Sequence, residues 1–166
     1  IQRIRPLTDL LEASAFLGKF GTRTQGKLEF LELSDDRAIR LDGSLATGYT
    51  GTLRAEAAFL LNGKLPTSVT LDLETRCDHA NCFERLLAHN QVTGTWDEID
   101  GRRSSLSDDL RTVTLANPAD YVRAADNAVE VALEVTESPS LPGVPAGSSG
   151  VPMVFVDQLR MNVAYP

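Results

Sequence analysis

The chain is predicted to be an antiparallel β-sandwich, and three observations predict it. Apolar residues alternate with polar ones at the two-residue period of half-buried strands, most clearly Val129, Val131, Leu133 and Val135 against Glu130 and Glu134, and Leu159, Met161 and Val163 against Arg160 and Asn162. Tight-turn chemistry separates such runs, notably Thr93-Gly94 within Asn90 to Ile99, and Asn117-Pro118 ahead of Tyr121. A length of 166 residues fits one domain, and an all-β chain of that size buries a core without needing a metal or a disulfide to hold it.

Taken in order, residues 1–27 read as a linker or edge segment, and residues 28–166 as the single sandwich domain. Thr8 is placed to cap a short helix carrying Leu10, Leu11, Ala13 and Phe16, but Gly18, Gly21 and Gly26 interrupt any regular element soon after. The β signal starts at Leu28, with strands expected over Leu28 to Leu33 and Ala38 to Leu41 around a tight connection at Ser34-Asp35-Asp36-Arg37. Leu53, Ala55, Ala57, Phe59 and Leu61 then alternate with Arg54 and Glu56, and Asn62-Gly63-Lys64 turns the chain. Val69, Leu71 and Leu73 alternate with Thr70, Asp72 and Glu74, and Phe83 to His89 leads into the Thr93-Gly94 turn. After Val113 and Leu115, Pro118 prevents the strand from continuing as an interior one. Residues 138 to 152 are too rich in Pro, Gly and Ser for regular structure and read as a long insertion between two strands. The final strand has an inward parity that includes Asp157, so this carboxylate is expected at the rim of the sandwich, where solvent or an ion meets its charge.

Composition excludes several function classes. A hydrophobic fraction of 42% with 23% charged residues is ordinary for a folded domain, and no run reaches the apolar length that spans a bilayer. The net charge of −7 repels phosphate backbones, and no Lys/Arg cluster with interleaved aromatics offsets it, so nucleic acid is not an expected partner. The chain opens on Ile1 rather than Met, so the absence of a signal peptide says nothing about export.

Four landmarks carry a resemblance: Ser34-Asp35-Asp36 before a short strand, Thr93-Gly94-Thr95-Trp96-Asp97, Asn117-Pro118-Ala119-Asp120-Tyr121-Val122, and closing Val156 to Val163. In this order they resemble the galactose-binding-like jelly-roll domains found beside catalytic modules in secreted bacterial proteins, over about Leu28 to the end of the chain. The resemblance implies a jelly roll of about eight strands without an active site of its own, outside the cell or in the periplasm. It also implies carbohydrate as ligand, a structural calcium, and a glycan or a neighbouring domain of a larger exported protein as partner. The alternatives are a structural or protein-interaction scaffold that needs no small-molecule site and, third, a hydrolase with a grafted site.

Site candidates follow from residue chemistry. Trp96, the sole tryptophan, and Tyr49 and Tyr121 in predicted loops offer rings for sugar stacking, with Asp97, Asn90 and Asp120 nearby in sequence to bond hydroxyls; packing of Trp96 at a hairpin end is the competing reading. Asp35 and Asp36 with Asp157 gather the oxygen ligands that calcium prefers, while pairing of Asp157 with Arg37 or Arg40 competes with that site. Cys77-Asp78-His79-Ala80-Asn81-Cys82 holds both cysteines and one of two histidines. Zinc bound by Cys77, His79, Cys82 and His89 would match no standard spacing, and a Cys82–His79 nucleophile pair lacks a recognisable motif, so a Cys77–Cys82 disulfide is expected ahead of reduced thiols. The acids Asp35/Asp36, Asp97/Glu98/Asp100 and Asp108/Asp109 offer glycosidase pairs in principle, but acids at turns ordinarily accept backbone hydrogen bonds.

Overall fold

A computed structural model describes residues 7–19, 23–31, 37–45, 51–78, 82–137 and 152–166. The strands are β1 Leu7–Glu12, β2 Ala15–Lys19, β3 Arg23–Gln25, β4 Ile39–Asp42, β5 Ser44–Leu45, β6 Gly51–Leu60, β7 Ser68–Cys77, β8 Cys82–Asn90, β9 Thr95–Arg103, β10 Asp109–Thr114, β11 Val122–Arg123, β12 Ala128–Glu137 and β13 Met153–Tyr165. They form two antiparallel sheets. The first runs β10-β7-β13-β4-β3, with β1 also on β13; the second runs β2-β6-β12-β8-β9, with β5 on β6 and β11 on β12.

The alternating residues meet between the sheets as expected. Leu53, Ala55, Ala57 and Phe59 of β6 and Val129, Val131, Leu133 and Val135 of β12 face Val69, Leu71 and Leu73 of β7 and Leu159, Met161 and Val163 of β13, all buried in one cluster. The sandwich predicted from periodicity is therefore borne out. There are more strands than about eight because short pieces line the sheet edges.

Four local expectations are corrected. No helix starts at Thr8: β1 pairs with β13, and the chain crosses to the other sheet at Ala13 and Ser14, where both the backbone N–H and the hydroxyl of Ser14 donate to Ala58 O. Leu11, Ala13 and Phe16 all reach the core because of that crossing, which imitates helical spacing. β2 and β3 end their sheets. Leu28–Leu31 forms one turn of 3-10 helix rather than a strand, and it delivers Leu31 to the core. In β13 the register against β7 shifts between Val156 and Gln158, so Asp157 is the extra residue of a β-bulge. The inward set changes there from Val154 and Val156 to Leu159, Met161 and Val163, and Asp157 itself is only 3% exposed.

Fourth, Cys77 and Cys82 are buried thiols and not a disulfide. Cys77 ends a strand of the first sheet and Cys82 begins a strand of the second, and each packs into the core as a small apolar side chain. The Cys77 thiol lies 3.9 Å from the Asp78 carboxylate. Residues 79–81, including His79, lie outside the described residues, as do Asp35, Asp36, Tyr49 and the Pro/Gly-rich 138–151.

Candidate functional site

The outer face of the second sheet gathers the side chains that alternation turns away from the core. Register places Arg54 of β6 beside Glu134 of β12 and Glu134 beside Arg85 of β8; Glu56 lies beside Ala132, Ala132 beside Leu87, and Leu87 beside Glu98; His89 lies beside Trp96 of β9. Ala132 and Leu87 occupy the middle of this face, yet they are 0% and 6% exposed. Long side chains must therefore lie over them.

On this face Trp96 and Arg54 meet each other. The Arg54 guanidinium carbon sits 4.5 Å from the centre of the Trp96 ring, although β6 and β9 are separated by β12 and β8, about 14 Å at ordinary strand spacing. Each side chain must reach across the sheet to make that contact. His89 packs against the same indole, with ring centres 5.0 Å apart and planes inclined by 39°.

Ion pairs fix the surroundings. Arg54 Nε donates to Glu56 Oε1 at 3.0 Å and its Nη1 donates to Glu134 Oε1, while Arg85 Nη2 reaches Glu134 Oε2 at 2.7 Å. Lys19 pairs with Glu56 at 3.1 Å. His89 Nδ1 lies 2.9 Å from Gln91 Nε2 and 3.5 Å from Glu130, whose other oxygen accepts from Arg123 at 2.7 Å. The result is a half-buried indole on a sheet face, surrounded by polar groups whose positions are set by one another.

The other sequence candidates go elsewhere. Trp96 and Asp97 are neighbours on a strand and point to opposite sides of it. Asp97 Oδ2 accepts from Asn90 Nδ2 at 2.8 Å and from the Tyr121 hydroxyl at 3.1 Å, and Oδ1 accepts from Thr95 Oγ1 at 3.2 Å. Asn90 Oδ1 in turn accepts from the backbone N–H groups of Val92 and Thr93 at 2.9 and 3.1 Å. This Asx turn, with Gly94 at a φ of 72° that suits only glycine, closes the β8–β9 hairpin. Thus Asn90, Asp97 and Tyr121 come together as a clasp around the turn, apart from the face that carries Trp96.

The clasp has a pH signature. The Asn90 amide, followed by the Tyr121 and Thr95 hydroxyls, holds the Asp97 carboxyl below its usual range against the opposing effect of burial. Burial, then the bond to Asp97, pushes the Tyr121 phenol up. A carboxyl lowered in the folded state contributes stability that is complete above the unfolded value, about 3.9, and is lost as pH falls through the folded one. Acid unfolding midpoints of the Asp97→Asn variant are therefore expected to depend less on pH below about 4 than those of the parent. Parallel curves would remove the assignment.

Other acids are committed to arginines: Asp100 to Arg111 at 3.1 Å, Asp108 to Arg76 at 3.4 Å, and Asp109 to Arg102. Of the expected calcium ligands only Asp157 is described, and among the described residues no group of three or more His, Cys, Asp or Glu is placed to hold a metal. Sequence reasoning missed Arg54, Glu134, Glu56 and Glu130 as site residues, and weighed His89 only as a zinc ligand. Their signal was the outward parity of β6 and β12, which read as solvent contact until the strand order brought those positions together.

Two antiparallel sheets packed on one core, in this strand order, make a jelly-roll β-sandwich. Among solved structures, the chain is similar to a substituted family 29 carbohydrate-binding module complexed with mannohexaose, with a TM-score of 0.51, 7% identity, and coverage of 96% of this chain and 93% of that one. It is similar to another variant of that module complexed with cellulohexaose, at 0.52 and 8%, covering 96% and 92%. A family 61 carbohydrate-binding module in complex with β-1,4-galactotriose matches at 0.50 and 10%, covering 90% and 89%. At these identities the likeness is one of fold. No protein-family model matches the sequence, and no curated protein does either. Among the described residues, no helix is long and apolar enough to cross a membrane.

Proposed function

We propose that this chain is a non-catalytic carbohydrate-binding domain of an exported protein, and that its glycan site is the Trp96 face of the second sheet. The observation that carries the reading is the half-buried indole lying across that face, on a fold shared with carbohydrate-binding modules. A pyranose ring presents an apolar C–H face to an aromatic ring and hydroxyls to the groups around it. Glu56, Glu130, Glu134 and Arg85 are the hydroxyl partners within reach, and charge-assisted hydrogen bonds are the stronger kind. The cations of this face are already paired with carboxylates, so a neutral glycan suits it better than an acidic one.

Trp96 is the sole tryptophan, so its emission reports directly on the site. Titration with manno-, cello- and galacto-oligosaccharides is expected to change that emission saturably, with calorimetry giving the same affinity and no hydrolysis of the sugar. Silence by both methods across the panel would overturn the reading in favour of the scaffold domain. A structural calcium held by Asp35, Asp36 and Asp157 belongs to the same proposal, supported by the burial of Asp157 at its bulge. Calcium should then raise the melting midpoint with concentration, since a ligand of the folded state stabilises by mass action, and the rise should vanish in Asp157→Ala. Coincident midpoints in calcium and in chelator would remove the site.

A further inference from the structure

We propose that Arg54 is the positioning residue of the glycan site: it lies beneath the Trp96 indole and makes it a stacking platform open on one face only. The inference deepens the carbohydrate-binding reading and rests on it for its binding arm.

A tryptophan on an exposed strand has several rotamers available to it. The group that selects among them comes from β6, three strands away. Arg54 contacts the indole at 4.5 Å and is itself fixed twice, by Glu56 and by Glu134, with Glu134 also braced by Arg85. The Arg54 side chain is only 11% exposed while Trp96 is half-buried, so the guanidinium takes the protein side of the indole and solvent reaches the other. A planar cation pinned by two carboxylates suits this role, because guanidinium stacks on an aromatic face while its fork bonds in the plane.

Two consequences follow for the ligand. Only one face of the ring accepts a sugar, so the site binds a saccharide from one side and does not sandwich it between rings. Glu56 and Glu134, which orient Arg54, keep their remaining oxygen lone pairs for sugar hydroxyls, so tether and recognition share the same carboxylates.

The experiment separates the tether from the binding. In the sugar-free protein, Arg54→Lys and Glu134→Gln are each compared with the parent for Trp96 fluorescence anisotropy and acrylamide quenching, with circular dichroism as the check on folding. Lysine keeps the charge but not the planar fork, so both variants are expected to lower the anisotropy and increase quenching. Affinity for whichever oligosaccharide binds the parent should fall at least about tenfold, as the loss of a desolvated cation–π contact implies. Parental anisotropy and quenching in Arg54→Lys would overturn the proposal, as would parental affinity in a variant whose indole has become mobile. If the parent binds no sugar, the carbohydrate reading fails while the fluorescence arm still decides whether Arg54 positions the ring.

Discussion

Replacing Glu84 by alanine is expected to lower the unfolding free energy by about 3–5 kcal/mol, the usual effect of removing one partner from a buried ion pair. Glu84 is 0% exposed, on the inward side of β8. Its Oε2 accepts from Thr75 Oγ1 at 2.9 Å and from Arg111 Nη1 at 3.0 Å, and Arg102 Nε lies 3.8 Å away. Thr75 and Arg111 belong to the first sheet and Glu84 and Arg102 to the second, so the carboxylate joins the two layers beside their edge strands β9 and β10. Burial disfavours the charge on Arg111, and the Glu84 carboxylate is the largest opposing influence. Without it, a buried guanidinium would keep, among the described residues, Asp100 as its paired carboxylate. The melting midpoint should fall by roughly 6–20 °C, given about 2–4 °C per kcal/mol for a chain of this size. The double variant Glu84→Leu, Arg111→Leu removes both charges and should recover much of that loss. Urea unfolding within about 1 kcal/mol of the parent for Glu84→Ala would show that the cluster contributes little.

Trp96→Ala should cost about 2–4 kcal/mol of glycan binding, the range of an aromatic hot spot, and leave the fold in place. The ring lies outside the sandwich, so its removal leaves the core between the sheets closed. Tyr121→Phe provides the contrast. That hydroxyl donates to Asp97 in the hairpin clasp, so its loss should weaken the turn and leave the affinity unchanged. Equal loss of affinity in both variants would place the ligand at the hairpin end. Parental affinity in Trp96→Ala would remove the indole from the site.

The fold was legible wherever one face of a strand is wet. Val129 to Val135 and Leu53 to Phe59 alternate cleanly because their sheet has one face on the core and the other in water. Legibility failed where the chain changes layer. Leu11, Ala13 and Phe16 serve the core across a change of sheet, and their spacing therefore imitates a helix where the chain is extended. The bulge at Asp157 shifts parity by one residue, which no count along the strand reveals before the partner is known. The site was half legible. Trp96 was identifiable as the sole tryptophan, and Asn90 and Asp97 as polar neighbours in sequence, but adjacency along a strand means opposite faces. Arg54 lies 42 positions before Trp96, and only the order β6-β12-β8-β9 brings them together. The disulfide expectation rested on five residues of separation in sequence, which fixes neither the distance nor the direction of the two side chains that a bridge needs.

The place of β13 fixes the order in which this molecule can be made. Thirteen residues long, it lies in the interior of the first sheet and pairs with β1, β4 and β7. On a ribosome those three strands emerge early and wait, with a gap between them that no other segment fills. β6, β8 and β12 can assemble the second sheet meanwhile, but its apolar side stays uncovered until Tyr165 has been synthesised. Contacts this distant in sequence make for slow folding, and the interval exposes a sticky half-sandwich to its neighbours. A nascent chain stalled before residue 153 can pair β7 with β10 and assemble the second sheet, but it lacks the strand that joins β7 to β1 and β4.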